Sequence, residues 1–86
     1  MKNKVTIKDI LAKIVSETYT IMPSGKVMIC ELTLENGFTV RGDASVVDKA
    51  NFNEEIGREI SKRNAVDAIW PLEGYLLQEK LYKGKE

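Results

Sequence analysis

The sequence predicts an α+β fold, with a short N-terminal helix, an antiparallel hairpin or meander sheet, and two C-terminal helices packed on one face of that sheet. Three observations support it. Apolar and polar residues alternate in the middle of the chain, an Asn-Gly pair interrupts the alternation, and a helical pattern runs from Asn51 to Leu81. We expect residues 1–86 to form a single domain, since a chain of 86 residues provides one modest core.

Composition argues against several classes of function. Lys plus Arg equals Asp plus Glu, at 13 each, so no excess positive charge is available to hold nucleic acid. The chain has no histidine, which excludes Cys/His zinc sites and triads with a histidine base. The single cysteine, Cys30, lies in an alternating apolar run, so we expect it to be buried. We therefore expect a non-enzymatic protein without cofactor, metal or nucleic-acid partner.

The segment before the hairpin contains two short elements. Thr6 and Asp9 have the spacing of a capping box ahead of an apolar run, which predicts a short helix. From Val15 to Met22 the residues are rich in β-branched and aromatic types, which predicts a strand. Pro23–Gly25 then predicts a turn.

The hairpin can be assigned a register. Apolar residues alternate with polar ones from Met28 to Glu35 and again after Asn36-Gly37. A two-residue loop at Asn36-Gly37 would scatter the apolar residues over both faces of the sheet. A loop over residues 35–37, with its glycine left-handed, instead pairs Leu34 with Phe38. We therefore expect the three-residue loop with a glycine bulge.

This register gives the sheet two different faces. On the outer face, Glu31 lies opposite Arg41 as a cross-strand ion pair, and Ile29 and Tyr19 lie on that side too. We expect the segment Gly42–Ala50 to lead away from the sheet, its first glycine permitting a bend or bulge. The face predicted to be buried contains Leu32, Leu34, Phe38 and Val40.

Two helices are predicted after the sheet. Asn51 or Asn53 is suited to cap the first. Pro71 lacks an amide hydrogen and disfavours helical geometry at Trp70, so we expect a break or kink there and a second helix from about Leu72 to Tyr82. The predicted apolar stripe of the first helix contains Phe52, Ile56, Ile60, Val66, Ile69 and Trp70. That of the second contains Leu72, Tyr75, Leu76 and Leu81.

A domain this small, with a tryptophan and many leucines near its end, is expected to share its core with a second copy. We therefore predict a homo-oligomer formed through the helices, either a dimer or an assembly of dimers such as a hexamer. No membrane-spanning run or signal peptide is evident, so we expect no membrane partner and action in the cytoplasm.

The run from Cys30 to Leu81 resembles the signature of the gene 49/gene 66 family of small phage proteins. The hairpin tip Asn36–Phe38, the pair Asn51-Phe52 and the block WPLEGYLL at residues 70–77 carry the resemblance. Members are encoded by phages and prophages, so the resemblance implies a viral protein that acts in the host cytoplasm. The family name implies no particular chemistry.

The order of a sheet followed by two helices is also similar to the first Thoeris anti-defence family. Those proteins are oligomeric sponges that bind cyclic ADP-ribose isomers made by host TIR enzymes, and some hold cyclic oligonucleotides. This resemblance implies a protein that counters host defence by sequestering a cyclic nucleotide signal. The alternative is a phage protein that inhibits a host defence protein by direct binding.

A nucleotide ligand requires cations for its phosphates, an aromatic face for its base and an amide for its polar edges. Arg58 and Arg63 could meet phosphates across a dimer interface, and Asn64 could bond to a base or ribose. The predicted ligand-binding residues are Phe52, Arg58, Arg63, Asn64, Trp70 and Tyr75.

Four of these residues also have a structural interpretation. Arg58 and Arg63 both lie at helical spacing from carboxylates on their own helix, so each could form a solvated ion pair. Trp70 could fill the core beside Pro71. Asn64 lies on an apolar stripe, so its amide needs a partner, whether backbone, a symmetry mate or a ligand.

Overall fold

The computed structural model describes residues 3–84. It confirms the α+β fold and the predicted order of elements. Helix α1 precedes three antiparallel strands in the order β1-β2-β3, and a 3-10 turn at Lys49–Asn51 leads into helices α2 and α3. The elements are α1 (Ile7–Ala12), β1 (Ile14–Ile21), β2 (Val27–Leu34), β3 (Thr39–Ser45), α2 (Glu54–Asp67) and α3 (Ile69–Lys83).

Local signals form the cap of α1 and the hairpin between β2 and β3 as predicted. The Thr6 side chain and Asp9 form a reciprocal capping box at the start of α1. In the hairpin the Leu34 N–H donates to the Phe38 carbonyl at 2.8 Å, and Gly37 has a φ of 90°. This is the three-residue loop with a left-handed glycine, so the register prediction is confirmed.

One face of the sheet is buried beneath α2, and two predictions about its faces are wrong. Tyr19 lies opposite Cys30 on the buried face, not on the outer face, because β1 pairs with β2 in that register. Phe38 is 55% exposed, because the chain is still turning there and β3 begins only at the next residue. The core consists of Ile10, Cys30, Leu32, Leu34, Val40, Ala65, Val66 and Ile69.

The segment after Arg41 corrects another expectation. Strand β3 continues through Gly42 to Ser45 instead of leaving the sheet. A Cβ on Gly42 would lie 2.1 Å from the Ala65 backbone nitrogen and 2.5 Å from the Ser61 carbonyl oxygen. Gly42 is therefore required because the backbone of α2 packs directly on β3.

This close approach decides which face of α2 is buried. Gly57, Ser61 and Ala65, spaced four residues apart, face the sheet and are buried. Ile56, predicted to lie on the buried stripe, is 53% exposed. The prediction failed because it ranked residues by apolarity, whereas the gap between helix and strand admits only small side chains.

The helices meet before the predicted break. Ala68 ends α2 and also precedes α3, so Trp70 and Pro71 are the second and third residues of the second helix. Pro71 is tolerated there because the first turn of a helix leaves its amide hydrogens unpaired. The second helix is accordingly longer than predicted.

Helix α3 extends beyond the sheet. Its first turns reach the core through Ile69, Trp70 and Leu72, and farther along it contacts α1. The molecule measures 57 × 20 × 17 Å with a radius of gyration of 15.9 Å, whereas a compact domain of this length has about 12 Å. Tyr75 and Leu76, predicted to be on an apolar stripe, are exposed on this projecting helix. None of the helices within residues 3–84 has the length and apolarity needed to cross a membrane.

Candidate functional site

A cleft of about 370 Å³ lies between α1 and α3. We call it the lysine cleft, because Lys4, Lys13 and Lys80 reach it from three separate segments. Its apolar surface comes from α3 and from the residue before the Thr6 cap. The residues that line it are Lys4, Val5, Asp9, Lys13, Glu73, Leu76, Leu77 and Lys80.

The charges of the lysine cleft are unevenly paired. Lys13 Nζ lies 3.0 Å from Glu35 and 4.0 Å from Glu73, and its hydrogen bond to Glu35 raises the pKa of the lysine. Among residues 3–84, no carboxylate lies within 4.0 Å of the ammonium groups of Lys4 or Lys80. The cleft therefore offers two cations to an anionic ligand, with a third already held by glutamates.

A second concave surface of about 250 Å³ lies between α3 and the hairpin tip. We call it the aromatic groove, since Phe38 is 55% exposed and Tyr75 is 68% exposed along it. Glu73 and Leu76 line both the groove and the lysine cleft, so the two surfaces adjoin along α3. The groove is lined by Leu34, Asn36, Phe38, Leu72, Glu73, Tyr75 and Leu76.

A polar cluster connects β1 to α2 on the buried side of the sheet. The Tyr19 hydroxyl donates to Glu17, and Lys62 donates to the same carboxylate at 3.1 Å. The Arg58 guanidinium lies 5.0 Å from the centre of the Tyr19 ring. The hydrogen bond from Tyr19, followed by that from Lys62, lowers the pKa of Glu17. Burial, followed by the bond to Glu17, raises the pKa of Tyr19.

Cys30 lies beneath this cluster and is buried, as predicted. Burial raises the pKa of its thiol, so the group is protonated at neutral pH. A buried, protonated thiol is a core residue in this fold.

The six predicted ligand-binding residues do not meet in one cavity. Phe52 is half-buried in a small recess of about 80 Å³ with Ile56 and Ile60, at the start of α2. Arg58 contacts Glu54 and Tyr19 on the other side of that helix, and Tyr75 lines the aromatic groove.

The other three have different surroundings. The Asn64 amide donates to the Asp43 carbonyl at 2.8 Å, so its partner is backbone. Trp70 is half-buried against the core. Arg63 is exposed, and within residues 3–84 no carboxylate is near enough to form an ion pair with it. Of the six, only Tyr75 adjoins the lysine cleft.

Sequence reasoning missed the three lysines of the cleft. Lys4, Lys13 and Lys80 are far apart along the chain, and no spacing rule connects them. One weak signal was available, since Lys13 follows the last residue of α1 and Lys80 lies in the last turn of α3, where helix dipoles favour cations. The helix dipole explains a lysine at the end of a helix, but it does not predict that α1 and α3 contact each other.

Comparison with known proteins identifies the family. The model of the phage protein (N4 Gp49/phage Sf6 gene 66) family matches residues 5–81. The chain belongs to this family. The matched residues include α1, all three strands, α2 and all but the last two residues of α3. No curated protein and no solved structure matches the chain.

Proposed function

We propose that this phage protein is a non-catalytic binding protein that sequesters a small nucleotide-derived anion, a cyclic nucleotide signal of host defence. The observation that supports this function is the lysine cleft, where Lys4 and Lys80 carry no paired carboxylate within residues 3–84. Ammonium groups beside the apolar side chains of Leu76 and Leu77 suit a ligand that combines phosphates with a flat apolar base.

The aromatic groove extends this argument. Tyr75 and Phe38 are exposed next to the cleft, and their rings could stack on a base whose phosphates contact the lysines. Glu73 lies between the two surfaces and would face the ribose or base edge as a hydrogen-bond acceptor. The choice of a cyclic nucleotide follows the resemblance in architecture to the first Thoeris anti-defence family.

A second candidate function is direct inhibition of a host defence protein. Phe38, Tyr75 and Leu76 form an exposed aromatic and aliphatic patch on the projecting helix and the hairpin tip. Aromatic residues are enriched at the centres of protein interfaces. In this alternative the aromatic groove would be the contact surface, and the lysines would form its rim.

The two functions are separated by a binding experiment. The protein is titrated with cyclic ADP-ribose isomers and with cyclic di- and trinucleotides, by calorimetry and thermal shift, and the ligand is recovered after heating. Sequestration predicts stoichiometric binding, and intact ligand on recovery. Consumed ligand would overturn the non-catalytic proposal, and no binding to any nucleotide would leave direct inhibition as the function to test.

Matched variants locate the site. The pair Lys4→Gln and Lys80→Gln should weaken nucleotide binding by about tenfold or more, because each loses a charge-assisted contact. Lys26→Gln removes an exposed lysine in the turn before β2 and should change nothing. Tyr75→Ala should weaken nucleotide binding under the first function and protein binding under the second, whereas the lysine variants should strongly affect only the first.

A further inference from the structure

The outer edge of strand β1 has no hydrogen-bonded neighbour within residues 3–84. The Met22 N–H donates to the Val27 carbonyl at 2.8 Å, and β1 and β2 pair without a bulge from Ser16 onward. In an antiparallel ladder the amide groups of alternate residues point to the same side. The backbone groups of Glu17, Tyr19 and Ile21 therefore point away from β2, where residues 3–84 provide no further strand.

The inner face of β1 is also only partly covered. Helix α2 packs on β3 and β2, and it reaches β1 mainly through the long side chains of Arg58 and Lys62. Ile21, at the end of the strand and on this face, is 46% exposed. An eight-residue edge with unpaired backbone and uncovered apolar side chains is a template for another strand.

The chemistry of the edge indicates which strand would pair with it. The edge contains no proline and no lysine within Ile14–Ile21, and its single charge is Glu17. When a strand pairs antiparallel with its own copy around a two-fold axis, one residue lies opposite itself. Centring on Glu17 would oppose two carboxylates, which is unfavourable.

Centring on Thr18 produces favourable pairs at the five central positions, residues 16–20. Thr18 lies opposite its copy and Ser16 lies opposite Thr20 on the outer face, which are hydroxyl pairs. On the inner face Glu17 lies opposite Tyr19, so the Tyr19 hydroxyl, which donates to Glu17 of its own chain, can donate instead to Glu17 of the second copy. The outward backbone groups of residues 17 and 19 then bond to each other.

We propose that a second copy of this chain pairs antiparallel along β1, with Thr18 on the two-fold axis, to form a continuous six-stranded sheet. The two α2 helices lie on the same face of this sheet, one over each half. In each copy, α2 leaves the inner side chains of Tyr19 and Ile21 partly uncovered. In the dimer, β1 of the other copy lies beside them. The proposal does not depend on which ligand the lysine cleft holds.

Disulfide trapping tests both the pairing and its register. Thr18 is exposed and, in the proposed register, forms a non-hydrogen-bonded pair whose Cα atoms lie about 4.5 Å apart, within the range for a disulfide. Thr18→Cys should give a covalent dimer under mild oxidation. Thr20→Cys is the matched control, on the same strand and face, and it should remain monomeric on a non-reducing gel. The unsubstituted protein should not cross-link, since Cys30 is buried.

Outcomes that overturn the proposal are equally specific. Equal cross-linking of the two cysteine variants, or cross-linking only at Tyr19→Cys, would exclude the Thr18 register. A protein that is monomeric by light scattering at about 100 µM would exclude the pairing.

Hydrogen exchange on the unsubstituted chain provides a test that needs no variant. Protection of the amides of residues 17 and 19 should rise with protein concentration, because only the second copy bonds to them. The amides of Thr18 and Thr20 bond to β2 and should be protected at all concentrations. Exchange at the first set that is fast and independent of concentration would contradict the proposal.

Discussion

The two edges of the sheet differ in how completely the fold closes them. At the β3 edge, the Asn64 amide donates to the Asp43 carbonyl and the backbone of α2 lies against Gly42. At the β1 edge, residues 3–84 provide no strand beyond Tyr19, and only the Arg58 and Lys62 side chains reach it from the helix. We call the β3 edge, which α2 caps at the Asp43 carbonyl, the closed side, and the β1 edge the open side.

The position of α2 explains the difference. A helix is wide enough to cover about two strands, and contact between small residues draws it toward the strand that contains Gly42. The strand on the far side is then left with a half-covered face. We expect contacts on the closed side to contribute most to stability, and the proposed pairing with a second copy uses the open side.

The largest expected effect comes from breaking the closed side. Gly42→Ala places a Cβ 2.1 Å from a backbone nitrogen of α2, so helix and strand must separate. We expect the free energy of unfolding, measured in urea, to fall by about 3 kcal/mol.

Gly74→Ala is the matched control for that variant. Gly74 lies within α3, and an added Cβ there meets nothing within 4 Å. The change should stabilise the protein by up to about 1 kcal/mol through helix propensity. Equal effects of the two substitutions would contradict the account of the closed side.

A smaller effect should follow from removing the side-chain hydrogen bond at the β3 edge. Asn64→Ala removes the donor to the Asp43 carbonyl and should cost about 1 kcal/mol in urea unfolding. Arg63→Ala, one residue earlier and exposed, should stay within about 0.5 kcal/mol of the parent. If Asn64→Ala instead has no effect on stability and weakens nucleotide binding, then the Asn64 amide binds the ligand.

The smallest effect concerns the hydrogen bonds that Glu17 accepts from Tyr19 and Lys62 at the open side, and it depends on pH. Tyr19 and Lys62 lower the pKa of Glu17 in the folded state. Their hydrogen bonds to Glu17 therefore stabilise the protein above the pKa of a glutamate in the unfolded chain, about 4.3. That contribution is lost as the pH falls through the lower folded pKa. Glu17→Gln should therefore be less stable than the parent near pH 6 and indistinguishable from it near pH 2.

The expected difference is below about 1 kcal/mol, because the Glu17 and Lys62 side chains are each 40% exposed and solvent screens their interaction. Thermal unfolding of both proteins across this pH range measures it. Lys62→Gln should retain the greater part of the pH dependence, since the Tyr19 bond is the larger cause of the shift. A larger loss with Lys62→Gln than with Glu17→Gln would reverse that order.

Much of the fold was predictable because its signals are local. The capping box at Thr6, the alternation across β2 and the loop that ends at Gly37 involve residues within a few positions of one another. The ion pair between Arg41 and Glu31, at 3.0 Å, follows from the hairpin register alone. The pair of Arg58 with Glu54 follows from helical spacing.

The candidate site was predictable only in small part, because it is formed where distant segments meet. The six residues proposed from the sequence lie in different surroundings, and only Tyr75 lies next to the lysine cleft. Lys4 and Lys80 reach that cleft because α3 passes α1, a contact that no local pattern specifies.

The sequence by itself determined the order and type of the elements, the hairpin register and the membership of Cys30 in the core, since each depends on short-range geometry or on apolar alternation. Only the tertiary structure decided which face of α2 is buried. Ile56 is more apolar than Gly57, yet Gly57 is buried and Ile56 is exposed. Gly42 has only a hydrogen atom as its side chain, so the backbone of α2 packs closely on β3, and only small residues of α2 fit at that contact. The same contact leaves the outer edge of β1 open, which is the edge on which the proposed pairing with a second copy depends.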